Sequence, residues 1–206
     1  MRYLALGDSY TIGEGVAEGE RWPVQLAQLL RERGYALEAP AIVAQTGWTT
    51  GELSTAIDAA SPEGPFELVS LLIGVNNQYR GLPVEGYRRE FEALLARAIA
   101  FVARQPARVL VLSIPDWGQT PFAAGRDREG IAAEIAAFNA VNADAAAAAG
   151  ARYIDVTTAS AAAGTDAGLL AGDGLHYSGR MYRRWAELAL GPATAALAGD
   201  PVAPRG

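Results

Sequence analysis

The chain has no cysteine, no lysine and a single histidine among its 206 residues. Without cysteine there are no thiol nucleophiles, thiolate metal sites or disulfides, and any redox compartment is compatible. Without lysine neither a P-loop nor a pyridoxal phosphate enzyme can be built. One histidine, His176, cannot make a multi-histidine metal centre, and any imidazole catalysis must use it. No apolar run is long enough to cross a bilayer as a helix, so stable membrane insertion is not expected. No apolar segment precedes Ser9 that could act as a secretory leader, and the chain reads as cytoplasmic. The net charge of -6 leaves no electrostatic footprint for nucleic acid. The arginine pairs Arg88-Arg89 and Arg183-Arg184 fall at helical positions and read as solvated faces.

What is present is a strongly apolar, single-domain chain. Half of the residues are hydrophobic, enough for a sizeable core. One domain over 1–198 with a tail at 199–206 is the expected organisation. Apolar runs at Arg2–Leu6, Leu37–Ala44, Glu67–Ile73, Arg108–Ile114 and Arg152–Val156 read as strands. Helical periodicity is carried between them by Arg21–Arg33, Thr49 or Thr50 to Ala60, Val84–Arg104 and Asp127–Ala149. A last helix follows Ser178 as its cap and buries Met181, Trp185 and Leu188. Gly7–Gly19, Val75–Leu82 and Asp116–Arg126 read as loops. Asn139 and Asn142, inside the alanine-rich helix, read as structural.

Five strands alternating with helices predict a parallel sheet covered on both faces. Right-handed crossovers then bring the strand-to-helix loops to one rim, where α/β sheets bind ligands. Ser9, Gly47, Asn76, Asp116 and the Asp173–His176 segment all lie in those loops.

Ser9 ends an apolar strand in a sharp turn, so it is either a nucleophile or a phosphate contact. As a nucleophile it needs a base, and His176 is the candidate. The imidazole needs an acceptor on its other nitrogen, and Asp173 stands three residues before it in a tight turn. The tetrahedral oxyanion of ester cleavage needs donors. The Ser9 amide, the Gly47 amide and the Asn76 side chain are available. Trp48, Trp117, Phe122 and Tyr177 flank this rim and could bind acyl or alcohol groups or simply pack.

These residues resemble the blocks of the SGNH hydrolases, also called GDSL esterases and lipases. Gly7-Asp8-Ser9 matches the nucleophile block, Gly47 the second and Gly74-Val75-Asn76-Asn77 the third. Asp173-Gly174-Leu175-His176 matches the D-x-x-H block. Asn77 departs from the third block's G-x-N-D pattern.

The resemblance implies a flavodoxin-like three-layer α/β/α sandwich and a hydrolase needing neither metal nor other cofactor. It implies Ser9 as nucleophile, His176 as base, Asp173 as its orienting partner, and Ser9, Gly47 and Asn76 as the oxyanion hole. The expected substrate is a small-molecule carboxylic ester. The alternatives are acyl transfer or sugar deacetylation with the same triad. From a different class comes a non-catalytic flavodoxin-like ligand-binding module, with Gly7 to Gly15 cradling a phosphate.

Overall fold

The computed structural model describes residues 1–198. The tail expected at 199–206 lies outside the described residues. Five parallel strands, β1 (Tyr3–Gly7), β2 (Ala41–Ala44), β3 (Leu68–Leu72), β4 (Val109–Leu112) and β5 (Arg152–Ile154), form one sheet in the order β2-β1-β3-β4-β5. Eight helices connect and flank them: α1 (Ser9–Ile12), α2 (Trp22–Glu32), α3 (Thr50–Ala60), α4 (Val75–Tyr79), α5 (Val84–Phe101), α6 (Arg128–Ala149), α7 (Thr157–Ser160) and α8 (Gly179–Ala196). Helices α2 and α8 pack together on one face of the sheet; α3, α5 and α6 cover the other. The expected three-layer flavodoxin-like sandwich is therefore the observed one.

Burial on both faces explains the apolar strands. Every residue of β1, β3 and β4 is buried, whereas edge strand β2 is partly exposed. Under the sheet, Leu26 and Leu30 of α2 are fully buried against α8. Burial of such side chains contributes ~1.5–3 kcal/mol each. Among the described residues, no helix is long and apolar enough to cross a membrane.

Strand ends differ from the sequence reading for identifiable reasons. Strand β2 begins at Ala41, not Leu37, because Pro40 has no N–H to give the ladder. Strand β4 stops at Leu112 because an α6 side chain replaces the next strand partner. Asn139 accepts from the Ile114 amide at 2.7 Å and donates to the Ile114 carbonyl at 2.9 Å. Asn142 is hydrogen-bonded to the Tyr87 hydroxyl at 2.6 Å, so both asparagines are structural. Ser178 does precede α8, but its hydroxyl donates to the Gly168 carbonyl at 2.9 Å instead of capping the helix. Leu188, expected in the core, is 44% exposed. The segments expected as plain loops after β1 and β3 contain the short helices α1 and α4.

Two buried polar arrangements hold these short helices. Asp8, fully buried, caps α1 by accepting from the Tyr10 amide at 3.1 Å, while its Oδ2 has no partner. Burial outweighs that backbone hydrogen bond and pushes the Asp8 carboxyl up to about 7. On α4, Asn77 accepts from the Thr50 amide at 3.0 Å and donates to the Thr50 hydroxyl at 2.7 Å. The Thr50 hydroxyl in turn donates to Glu90 of α5. The aspartate of the G-x-N-D pattern would not serve here. One hydroxyl proton would face two carboxylates, and the Thr50 oxygen would lose its donor.

Asn77→Asp should therefore destabilise the fold by about 1–3 kcal/mol. Adding Glu90→Gln, whose amide can donate to Thr50, should recover most of the loss. Urea denaturation of the two single variants and the double variant checks this, and equal stability of Asn77→Asp and the parent would refute the proton bookkeeping. Asp8 gives a second expectation. Its folded carboxyl holds a proton that the unfolded one has already released, so its contribution is present in acid and lost as pH rises towards about 7. Thermal melts should show Asp8→Asn gaining on the parent across that window. A pH-independent difference between the two proteins would refute it.

Candidate active site

The strand register sets the site. Gly7 of β1 pairs with Ala44 of β2 and with Leu72 of β3, so the three carboxyl ends are level. The chain leaves β1 towards one sheet face and β3 towards the other, which opens a crevice between their ends. Ser9 enters that crevice as the first residue of α1, where the helix offers its amide no acceptor. Asn76 enters from α4, just beyond Gly74. Only glycine fits position 74: its φ is +126°, and a Cβ would lie 2.5 Å from the Tyr87 hydroxyl.

His176 arrives from the far end of the chain on a tight hairpin. Leu170 and Tyr177 form an antiparallel bridge at its base, and the Ala171 amide donates to the His176 carbonyl at 2.8 Å. At its tip Asp173 turns back on itself. Its Oδ1 accepts from the amides of Leu175 and His176, each at 2.9 Å, and its Oδ2 meets His176 Nδ1 at 2.6 Å. Partial burial alone would push the Asp173 carboxyl up. The hydrogen bonds from the His176 ring and the two amides outweigh it and hold the carboxyl below its usual range. An ionised carboxylate can only accept, so Nδ1 carries a proton, and in the neutral imidazole the lone pair is then on Nε2. The Tyr10 ring lies edge-on to the imidazole, 5.7 Å between centroids.

Ser9, Gly47, Asn76 and His176 line one cavity of about 190 Å³. Asp173 stands behind His176, outside that lining. Among the described residues, Ser9 Oγ makes no hydrogen bond; catalytic hydrogen bonds commonly tighten only with substrate present. The two remaining donor positions are clamped. Asn76 gives one amide hydrogen to the Trp48 carbonyl at 2.9 Å, leaving its second free. Arg80 donates to the Gly47 carbonyl at 2.6 Å and pairs with Glu52 at 3.2 Å. Gly47 itself has φ +88° and no atom within 4 Å of a would-be Cβ, so its outer side is open.

The rest of the lining is apolar. Val75, Tyr79, Trp117, Phe122 and Leu175 contribute, with Tyr10 and Thr46. Trp117 and Phe122 thus reach the cavity as the sequence allowed. Tyr177 does not; it is fully buried against Tyr10 and Trp185. Trp48 lines a separate groove along β2 and α3. Asp116 also stays out of the cavity, its carboxylate turned to the Gly118 amide at 2.8 Å. Tyr79 was missed because 75–82 reads as a loop. On a helix, Asn76 and Tyr79 are three apart and share a face. Arg80 carried no local signal, since its partner carbonyl comes from a distant loop.

The fold recurs in known proteins. A family model described as GDSL-like Lipase/Acylhydrolase family matches residues 5–184. The curated proteins hold no sequence match to this chain. Among solved structures, that of TesA superposes with a TM-score of 0.75 at 22% identity, over 96% of this chain and 100% of that one. The esterase EstA from Pseudoalteromonas sp., solved inhibited by monoethylphosphonate, gives 0.73 at 17% identity over 95% and 98%. The acetyl xylan esterase AlAXEase gives 0.69 at 17% identity over 93% and 98%. These structures share the fold, and with the family model spanning most of its length the chain belongs to the GDSL-like lipase/acylhydrolase family.

Proposed function

We propose that this hydrolase is a serine esterase that cleaves carboxylic esters of short acyl chains through an acyl-enzyme intermediate. The observation that carries this reading is the hydrogen-bonded Asp173–His176 pair opening onto the same small cavity as Ser9, Gly47 and Asn76. Ser9 Oγ attacks the ester carbonyl carbon and its proton passes to His176 Nε2. The oxygen that becomes negative takes hydrogen bonds from the amides of Ser9 and Gly47 and from the free Asn76 amide hydrogen. Collapse expels the alcohol, which receives the proton held on His176. Water, giving a proton to the same nitrogen, then releases the acid and restores Ser9. Asp173, its carboxyl held in the charged form, keeps Nε2 pointed at the reaction and stabilises the imidazolium.

Cavity size supports the short acyl chain. Its volume of about 190 Å³ lies below the roughly 300–1,000 Å³ of clefts that enclose drug-sized ligands. The apolar rings around it suit hydrocarbon better than charge.

Ser9→Ala should lower turnover of p-nitrophenyl acetate or butyrate by on the order of 10⁴-fold or more. Asn76→Ala should cost ~10²–10³ in turnover. Retained hydrolysis in purified, folded Ser9→Ala would end this assignment. EstA is inhibited by a phosphonate, and a fluorophosphonate probe should likewise label Ser9 here. Arg80 supplies a subtler test. Its ion pair with Glu52 is about half exposed and contributes at most ~1 kcal/mol to stability. Arg80→Ala should therefore leave the melting temperature nearly unchanged while lowering kcat about tenfold through a displaced Gly47 loop. A kcat equal to that of the parent would show that the Gly47 carbonyl needs no clamp.

A further inference from the structure

The far wall of the cavity is built by three aromatic rings and closed from outside by one cation. Tyr79 comes from the end of α4, whereas Trp117 and Phe122 come from the β4–α6 segment. Their centroids lie 5.4 Å (Tyr79 to Trp117), 5.9 Å (Trp117 to Phe122) and 6.4 Å (Tyr79 to Phe122) apart. The guanidinium carbon of Arg126 sits 5.4, 5.3 and 5.2 Å from the Tyr79, Trp117 and Phe122 centroids. Arg126 Nη2 also donates to the Tyr79 hydroxyl at 3.3 Å. Among the described residues no carboxylate pairs with Arg126, so its interactions are with the rings.

The three rings are not equally held. Trp117 is buried, and its indole N–H donates to Gln78 at 2.8 Å, which donates in turn to Glu134 of α6 at 2.7 Å. Tyr79 and Phe122 are 47% and 39% exposed, and neither packs deeply enough to be fixed by burial. Both would be free to swing outwards without the cation that spans them. The backbone that presents Arg126 is itself fixed. Its amide donates to the Ala123 carbonyl at 3.1 Å, and Asp127, the next residue, caps α6.

We propose that Arg126 is the positioning residue that sets acyl-chain selectivity, by stapling Tyr79 and Phe122 onto Trp117 so that the cavity ends where they meet. The inference rests on the esterase reading and adds to it the element that limits chain length. A guanidinium suits the task because its flat face attracts several ring faces at once, and no acid is needed to hold it. Once the staple is removed, the two exposed rings part and a longer acyl chain can pass between them.

The test is a series of p-nitrophenyl esters from acetate to decanoate, run on the parent, Arg126→Ala, Arg126→Lys and Phe122→Ala. The ratio of kcat/KM on octanoate to that on acetate should rise about tenfold in Arg126→Ala, chiefly through a lower KM for the longer ester. Phe122→Ala opens the same wall directly and should show the same shift. Arg126→Lys, which keeps the cation, should fall between Arg126→Ala and the parent. A loss of activity uniform across chain lengths, as general destabilisation would give, overturns the proposal, as does a profile parallel to that of the parent. If the parent neither turns over any ester nor is labelled at Ser9 by a fluorophosphonate, the esterase reading falls and the staple's role falls with it.

Discussion

The site depends on strand register. Because β1, β2 and β3 end level with one another, the residues that follow them leave the sheet side by side. A one-residue slip in a parallel ladder would turn every side chain of that strand to the opposite face. The buried hydrogen bond between the Tyr3 and Ser70 hydroxyls, 2.8 Å long, joins β1 to β3 and opposes such a slip. The contact that holds the register therefore also aligns Ser9 and Asn76. The polar clamps, Arg80 on Gly47 and Asn76 on Trp48, adjust positions that the apolar strands have already brought close.

His176 reaches the same point by another route. It belongs to no strand end, and its place is fixed by a hairpin whose backbone pairs Leu170 with Tyr177. The Phe122 amide donates to the Gly174 carbonyl at 3.1 Å, which ties this hairpin to the segment carrying the aromatic wall. His176 and the aromatic wall are therefore linked through the backbone. The Asp173 carboxylate does two jobs, since one oxygen shapes the turn through two amides and the other orients the ring.

The strand pattern, the helical periodicity and the residues Ser9, Gly47, Asn76, Asp173 and His176 were legible because each is a local signal: an apolar run, a glycine stop or a short motif. What could not be read depended on partners distant in sequence. The end of β4 is decided by Asn139, which lies twenty-five residues beyond the Ile114 backbone it binds. Leu188 has the period of a core residue, yet it lies on the outer side of α8. The 75–82 segment lacked a helical pattern because its single turn is stabilised by tertiary bonds, among them that of Asn77 to Thr50, and not by propensity. Tyr79 and Arg126 were hidden for the same reason.

Helix α4, with the residue that ends it, carries a consequence for how this enzyme can change. Asn76 faces the cavity, Asn77 anchors α3, Gln78 holds Trp117, Tyr79 forms the wall and Arg80 grips Gly47. Five consecutive side chains, each turned by roughly 100° from the last, serve five different parts of the site. An insertion or deletion here would rotate every one of them off its task together. The β4–α6 segment carries two rings of the wall, Arg126 and the backbone bond of Phe122 to Gly174. Its side chains can therefore vary without turning the residues of α4, while α4 is confined to point substitutions that preserve its phase.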